Sequence, residues 1–555
     1  MPKVRSRHIV GLLALTLAPF IPNSNTNAQR SAIDTYAITN ARIVTVSGPV
    51  IERGTVVIRN GLIAAAGANV NAPPDARIID GNGLTVYPGL IDAYTDLALP
   101  EASPSPSPGG GGGGGFFAAP PPRPVGGPNS TQAVGLQPEV MVEDVIRTGG
   151  NEIESARNIG ITTALTSPRT GIWMGQSALI NLSGDTPQAM IVRSPVAMHV
   201  GFTPLRGTYP GSLMGVFATL RQMMLDAQRY RDSMQIYERN PRGIRRLDTD
   251  RSLAALVPLI EGRMPVVMLV NSEREITRAL DLASEFKLRL IVAGGRESDR
   301  VAERLAKQNV PVLLSLNLPR RTTAALPEAD PEPLRVLRER VQAQQTAGKL
   351  AKAGVRFAFQ SGSLTDMSEL MVNARHVIEN GLPAADAVRA FTIWPAQILG
   401  VESQLGSIEA GKIANLTVTR GDLFDRNSRV AHVFIDGRPV DLRPAAGGPS
   451  RSSLSGTWIV TVNLGQGDKA IALNLQQEGD RLTGAISGPL GAGEISNASV
   501  AGGGEVRFTV VLNVEGQTKE ATFAGRLANN EIRGSVTIVG AAPGTFTATR
   551  SGQPN

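Results

Sequence analysis

Hydrophobic and polar positions follow two different patterns along this chain, and each pattern predicts its own kind of element. Between residues 36 and 87, and again between 402 and 442, short apolar runs end at Asn-Gly, Asp-Gly or other turn residues, which predicts β-strands. Between residues 143 and 399, apolar runs alternate with amphipathic helices, a spacing that is typical of parallel β–α units. With short connections over this length, the pattern favours a TIM-like (β/α)8 barrel over an open doubly wound sheet.

Individual elements can be assigned within the region of alternating strands and helices. Strands are predicted at 265–271, 288–293, 310–316 and 354–359. Helices are predicted at 213–239, 273–286, 299–308 and 332–353. In these helices the apolar residues recur every three to four positions, as packing against a sheet requires.

The two strand-rich regions flank the predicted barrel, which spans residues 88–400. We therefore interpret residues 30–87 and 401–442 as two parts of one composite β-sandwich. A Pro/Gly/Ser-rich linker follows at 443–453. Residues 454–555 then show short strands that alternate at regular intervals with turn residues, as is typical of a sandwich or barrel. This C-terminal all-β module is similar to calycin-like barrels.

A low-complexity insertion at residues 101–130 follows the first predicted barrel strand. It contains seven consecutive glycines at 109–115 between Pro-rich stretches. This composition cannot bury a core and predicts a flexible loop. The loop would lie at the C-terminal face of the barrel and act as a lid, although a tolerated surface insertion is the simpler interpretation.

Residues 1–28 have the three parts of a secretory signal peptide. Lys3, Arg5 and Arg7 form a basic start, an apolar run occupies 9–20, and small residues surround Ala28. The apolar run is too short for a membrane-spanning helix, which needs about 20 residues. The sequence therefore predicts cleavage after Ala28 and a periplasmic or secreted protein without a transmembrane segment.

Composition narrows the chemistry further. The absence of cysteine excludes disulfides, thiolate metal sites and cysteine nucleophiles. The net charge of +7 is spread over 555 residues and does not indicate nucleic-acid binding. Residues 166–171 and 175–177 are interpreted as a polar loop, but they lack the Gly-x-Ser-x-Gly pattern of a serine nucleophile. Of the four histidines, His8 lies in the predicted signal peptide, which leaves His199, His376 and His432.

Three stretches of sequence carry a family resemblance. Residues 86–92 (VYPGLID) are similar to a lead into a first barrel strand, and residues 381–400 (GLPAADAVRAFTIWPAQILG) to a last pair of barrel helices. Residues 405–416 (LGSIEAGKIANL) are similar to a return into a flanking β domain. Together they resemble the amidohydrolase superfamily, in its imidazolonepropionase-like branch.

This resemblance implies metal-dependent hydrolysis of non-peptide C–N bonds or related amides, with divalent ions held at the ends of barrel strands. The positions that it assigns to metal ligands are occupied here by Tyr94, Asp96, Leu269, Gly294 and Gly362. The sequence therefore predicts that the metal site is lost and that no cofactor is bound. Zinc or another divalent ion is the less favoured alternative.

The number of histidines supports this interpretation. The resemblance implies a binuclear site with four histidines and a carboxylate, but the predicted mature chain has only three. His376 falls on a predicted helix and His432 on a strand of the β domain. His199 lies in a predicted strand, where a core histidine with hydrogen-bonded nitrogens is the commonest interpretation. Asp96 and His199 are the weak catalytic candidates that remain.

Three functions stay open, and the sequence does not decide whether the protein is an enzyme. The first is an exported amidohydrolase-family protein without its metal site, which acts as a binding or assembly subunit. It would form a homo-oligomer or pair with an active amidohydrolase. The second is an active hydrolase with an altered site that uses Asp96 and His199. The third is a protein that binds a small molecule.

Overall fold

The structure is a computed structural model. It describes residues 35–100, 132–319 and 333–442, apart from positions 206, 208, 246, 247, 363 and 365. It also describes residues 454–550, apart from positions 455, 464–467, 479–480, 489–490, 502–504, 515–516, 529–530 and 539–543. The predicted signal peptide, low-complexity insertion and linker lie outside the described residues. No helix in the described part of the chain is long and apolar enough to cross a membrane.

Five strands precede the central region. They are β1 (Thr35–Ile43), β2 (Ile51–Arg59), β3 (Leu62–Gly67), β4 (Ala76–Asp80) and β5 (Leu84–Pro88). Asn60 and Gly61 join β2 to β3 with φ angles of 54° and 79°. A two-residue hairpin turn needs positive φ at both positions, which explains the Asn-Gly pair.

Ten strands make up the central region. They are β6 (Leu90–Thr95), β7 (Ile161–Thr166), β8 (Trp173–Gln176), β9 (Ala178–Asn181), β10 (Ile191–Arg193), β11 (Met198–Gly201), β12 (Val266–Val270), β13 (Leu290–Gly294), β14 (Val312–Ser315) and β15 (Phe357–Gln360). One sheet has the order β15-β14-β13-β12-β11-β8, in which β11 to β15 are parallel. The other has the order β10-β9-β7-β6.

Helices connect these strands. They are α1 (Asn151–Asn158), α2 (Pro187–Met190), α3 (Leu213–Arg239), α4 (Arg251–Ile260), α5 (Glu273–Phe286), α6 (Ala302–Lys307), α7 (Leu334–Lys352), α8 (Ser368–Glu379), α9 (Ala384–Phe391) and α10 (Ile393–Ile398). Short 3-10 turns lie at Val142–Asp144 and Ser298–Val301. Ser272 and Glu275 form a capping box that fixes the start of α5. The predicted helix 299–308 is divided here into a 3-10 turn and α6.

Strands from both sides of the central region share one sheet. After α10 the chain forms β16 (Leu416–Arg420), β17 (Arg429–Ile435) and β18 (Arg438–Val440). The sheet order is β18-β17-β16-β5-β1-β2-β3, and β4 pairs with β1. The antiparallel pairing of β16 with β5 therefore joins a chain segment that precedes the central region to one that follows it.

A buried polar network connects this sheet to the central strands. The Asn415 amide nitrogen donates hydrogen bonds to Oγ1 of Thr163 (3.0 Å) and to Oδ1 of Asn181 (2.8 Å). The Asn415 amide oxygen accepts from the backbone N–H of Asp436 (2.8 Å), and Asn181 donates to the Asp436 carboxylate (2.7 Å). Each polar group of the Asn415 side chain is thus satisfied away from water.

The C-terminal strands close into a separate antiparallel barrel. They are β19 (Gly456–Asn463), β20 (Asp468–Glu478), β21 (Arg481–Gly488), β22 (Gly491–Ala501), β23 (Glu505–Val514), β24 (Gln517–Ala528), β25 (Glu531–Ile538) and β26 (Gly544–Arg550). The core contains Trp458, Phe508, Phe523 and Phe546, with the Phe508 and Phe523 rings stacked 4.9 Å apart. Of the sandwich and barrel that the sequence leaves open, the barrel is confirmed.

The sequence interpretation misses several strands, of which β22 and β8 are two examples. Residues 491–501 are rich in Gly, Ser and Asn, and β22 exists because β21 and β23 provide ladders on both sides. Gly175 and Gln176 belong to the predicted polar loop but lie in β8. The buried Gln176 amide donates a hydrogen bond to the carbonyl of Pro138 (3.1 Å), which allows a polar residue in this strand.

Replacing Asn415 with Ala is expected to lower the free energy of unfolding by about 3 kcal/mol, because it leaves buried partners without hydrogen bonds. Urea titration of the variant and the wild type measures this loss. The matched control is Asn82→Ala in an exposed turn, with an expected change within about 0.5 kcal/mol. Equal losses in the two variants would contradict a structural role for the network.

Candidate functional site

Several polar side chains meet where strands of the two central sheets end. Tyr94 lies in β6, and Asp96 follows that strand. Arg169 lies in the segment after β7, His199 lies in β11, and Ser361 directly follows β15. Together with Asp92, which accepts a hydrogen bond from the Ser361 N–H, these residues form a site that we call the strand-end cluster.

Arg169 is the central residue of the strand-end cluster. Its Nε lies 3.3 Å from Oδ2 of Asp96, an ion pair without the alignment of a hydrogen bond. A terminal guanidinium nitrogen donates a hydrogen bond to the carbonyl oxygen of Gly362. The guanidinium carbon also lies 5.8 Å from the centre of the Tyr94 ring, within the range of a cation–π contact. One side chain therefore links the ends of β6, β7 and β15.

The rings of Tyr94 and His199 stack with their centres 5.4 Å apart and an interplanar angle of 25°. Both are buried, and neither the Tyr94 hydroxyl nor either nitrogen of His199 has a hydrogen-bond partner among the described residues. Burial lowers the pKa of His199 to about 3. Burial raises the pKa of Tyr94 to about 12, against the opposing effect of Arg169. Both rings are therefore neutral at pH 7.

His199 thus differs from the core histidine that the sequence favours. It is buried, as that interpretation requires, but its nitrogens are not hydrogen-bonded within the described chain. The reason is its neighbour, since the face of the Tyr94 ring offers contact area and no acceptor in the plane of the imidazole. No ion pair or hydrogen bond joins His199 to Asp96 in the described part of the chain.

Asp92 is a buried carboxyl group that bridges β6 and β15. Its Oδ1 accepts hydrogen bonds from the backbone N–H groups of Ser361 (3.0 Å) and Tyr94 (3.4 Å). Its Oδ2 has no partner among the described residues. The Ser361 hydroxyl donates to the Thr95 hydroxyl over 3.3 Å. Burial raises the pKa of Asp92 to about 6, although the hydrogen bonds from Ser361 oppose this rise.

The remaining ligand positions of the family resemblance carry no metal-binding side chain. Leu269 in β12 packs against an apolar cluster of the central region. Gly294 and Gly362 have φ angles of 89° and 58°, which favour glycine. A Cβ at Gly294 would lie 2.6 Å from Oδ1 of Asn271, and one at Gly362 would lie 2.9 Å from Oγ of Ser315. The backbone therefore resists side chains at both glycines.

Sequence reasoning identifies some members of the strand-end cluster and misses others. Tyr94, Asp96 and His199 are singled out by the sequence and lie in or beside the cluster. Arg169 falls only within the predicted polar loop, and Asp92 only within a family motif. Their positions at the ends of apolar strands are the signal that would have found them.

Comparisons with known proteins connect this geometry to a family. Residues 275–440 match the model of the Amidohydrolase family. The structure is similar to that of an amidohydrolase from Thermotoga maritima MSB8, with a TM-score of 0.61 and 25% sequence identity over 73% of this chain and 99% of that one. These matches support the amidohydrolase superfamily for this chain.

Two curated relatives within the amidohydrolase superfamily share short segments with the chain. It is 36% identical over 78 residues to an N-acetylglucosamine-6-phosphate deacetylase of Haemophilus influenzae. It is 49% identical over 49 residues to an imidazolonepropionase of Idiomarina loihiensis. These segments cover 14% and 8% of this chain, and 19% and 12% of the two relatives. The chain thus spans less than a fifth of either relative.

The residues of this amidohydrolase-superfamily member do not fit a divalent ion. Leu269, Gly294 and Gly362 provide no donor side chain, the Tyr94 hydroxyl is buried and protonated, and Asp96 is paired with a guanidinium. No group of three or more His, Asp or Glu side chains with metal-binding geometry occurs within the described ranges. A bound cation would also be repelled by the charge of Arg169.

Replacing Asp92 with Asn is expected to change how stability depends on pH. The native pKa of about 6 lies above the ordinary value of 3.8, so the native state holds an extra proton between these pH values. The contribution of the Asp92 carboxyl to the free energy of unfolding therefore decreases as pH rises from 4 to 6. Relative to wild type, Asp92→Asn should gain about 2.4 kcal/mol in unfolding free energy between pH 4 and pH 7.

Urea titrations at several pH values measure this gain. The control is Asp248→Asn, which removes a carboxyl group at an exposed position. A difference between Asp92→Asn and wild type that does not change with pH would contradict the raised pKa of Asp92.

Proposed function

We propose that this protein is a non-catalytic member of the amidohydrolase superfamily that acts as a binding or assembly subunit. The observation that carries the proposal is the chemistry of the strand-end cluster. Where a divalent ion would need imidazole and carboxylate ligands, the chain has a leucine, two glycines, a protonated tyrosine and an ion-paired aspartate.

We also propose that the two central sheets are parts of one TIM-like (β/α)8 barrel. A hydrogen bond bridges one pair of neighbouring sheet edges. The Ser361 N–H donates to Asp92 across the gap between β15 and β6. Such closure would place the strand-end cluster at the mouth of the barrel, where barrel enzymes carry their active sites.

The alternative of an active hydrolase with Asp96 and His199 is weakened by the geometry. A general base works best with a pKa near the working pH, whereas burial lowers the pKa of His199 to about 3. Asp96 is held by Arg169, and no contact joins it to His199 among the described residues. The two candidates are therefore not arranged as a proton-transfer pair.

Small-molecule binding is a second candidate because one observation favours it. The Tyr94 hydroxyl, both His199 nitrogens, Asp92 Oδ2 and Gln360 Oε1 are buried without hydrogen-bond partners among the described residues. Buried polar atoms are normally satisfied by protein, water or ligand. A compact molecule with hydrogen-bond donors would satisfy the carboxylate and amide oxygens.

The assembly role is supported by an apolar stripe on α7. Leu334, Leu337 and Val341 are spaced three and four positions apart, so they share one helix face. Their exposed fractions are 59%, 41% and 54%. Exposed apolar residues in such a group favour a protein partner, which would be a second copy or an active amidohydrolase. The leader-like residues 1–28 further support a periplasmic or secreted location for this assembly.

The mature chain, residues 29–555, is expected to contain less than about 0.1 equivalent of Zn, Mn, Fe or Ni when purified without chelator, because the site lacks ligands. Elemental mass spectrometry measures this content, and amide and dipeptide substrates test hydrolysis. One equivalent of metal that is lost in Asp96→Asn, together with hydrolysis, would overturn the proposal.

The double substitution Leu337→Glu and Val341→Glu is expected to weaken self-association at least about tenfold, because charge is placed on the apolar stripe. Light scattering during size-exclusion chromatography measures the mass. Ile78→Glu is the control, since Ile78 is also exposed but lies on β4. A wild-type chain that is monomeric at about 50 µM would contradict a homo-oligomer at this face.

A further inference from the structure

We infer that the Arg169 guanidinium takes the place of the divalent ion in this site, as a built-in cation bound by the former ligand positions. This inference rests on the proposed loss of the metal site. It goes further because it identifies what replaced the ion and which residues hold the replacement.

The placement of the guanidinium supports the inference directly. It pairs with Asp96, donates a hydrogen bond to the carbonyl of Gly362 and lies over the face of Tyr94. These three residues are at three of the five positions that the family resemblance assigns to metal ligands. They come from the ends of β6 and β15, whereas Arg169 comes from the segment after β7.

The chemistry of the three partners suits a guanidinium. A carboxylate, a peptide carbonyl and an aromatic face are all electron-rich, and each is a recognised partner of a delocalised planar cation. Two of them, the carbonyl and the ring face, are poor partners for zinc, which prefers imidazole, thiolate and carboxylate. At these three positions, groups that accept an arginine thus take the place of metal ligands.

The same contacts determine what Arg169 does for the fold. Its hydrogen bond to Gly362 holds the turn that follows β15. That turn presents the neighbouring Ser361 N–H to the buried Asp92 carboxylate. Arg169 is therefore a positioning residue that connects the end of β15 to β6.

Chemical rescue tests this inference. Arg169→Ala should lower the midpoint of thermal unfolding by roughly 4 °C and leave a space that accepts a small guanidinium. Methylguanidinium chloride at about 50 mM should then raise the midpoint of this variant by roughly 2 °C relative to the same concentration of NaCl. The wild type should show no such difference, because its own side chain fills the site.

Two further variants control for a general effect of charge or salt. In the double variant Arg169→Ala and Asp96→Asn, the rescue should fall to less than half, because an acceptor is missing. Arg193→Ala removes another arginine that donates to backbone carbonyls, those of Leu399 and Gly400, away from the strand-end cluster. The same additive should act on it no more than on the wild type at the concentration used.

The inference is overturned if methylguanidinium shifts Arg169→Ala and wild type equally. Where the Ala variant does not fold, Arg169→Lys replaces it. The lysine ammonium lacks the planar donor geometry of a guanidinium. The unfolding midpoint of Arg169→Lys should therefore lie below that of wild type, and equal midpoints would overturn the inference. Metal content of the wild type is measured separately. A metal-free chain without rescue therefore counts against the role of Arg169 and leaves the proposed function standing.

Discussion

A cation that is four-fifths covered by protein must find acceptors for its charge, and the site depends on how Arg169 meets this constraint. The acceptors come from separate strands. Tyr94 lies within β6 and Asp96 follows it, whereas Gly362 lies after β15. Satisfying one side chain therefore fixes the relative positions of three strand ends. Removal of the guanidinium would leave Asp96 and the Gly362 carbonyl without this partner. The contacts of Arg169 together are therefore expected to stabilise the fold more than a partly exposed ion pair with Asp96 would alone.

Apart from the Asp96 carboxylate that pairs with Arg169, the site contains mostly neutral groups. The Tyr94 and His199 rings stack, and burial keeps both uncharged at pH 7. Asp92 is the exception, since its carboxylate is buried and its pKa of about 6 leaves it mostly ionised at neutral pH. Its hydrogen bonds from Ser361 and Tyr94 compensate in part for the lost hydration. One buried carboxylate is thus tolerated in the same cluster as one cation.

The sequence could predict elements whose determinants are local. Asn60-Gly61 specifies its own turn, and Ser272 with Glu275 specifies the start of α5, so both are recognisable from spacing alone. β22 is not recognisable, because its Gly- and Ser-rich stretch becomes a strand only between two neighbours. The role of Arg169 cannot be recognised from the sequence for a similar reason. An arginine in a polar loop is unremarkable until the fold brings Asp96 and Gly362, from distant parts of the chain on either side of it, to its guanidinium.

The geometry of the strand ends also limits which single substitutions could add a metal ligand. At Gly294 and Gly362 the backbone has positive φ, and an added Cβ would approach Asn271 and Ser315 within 3 Å. A histidine or aspartate there would need movement of the backbone as well as of its neighbours. Any imidazole placed at Tyr94 would still face the Arg169 guanidinium. Conversion to a metal centre therefore requires removal of the internal cation before any new ligand can act, and removal alone disturbs the contacts that hold β15 against β6.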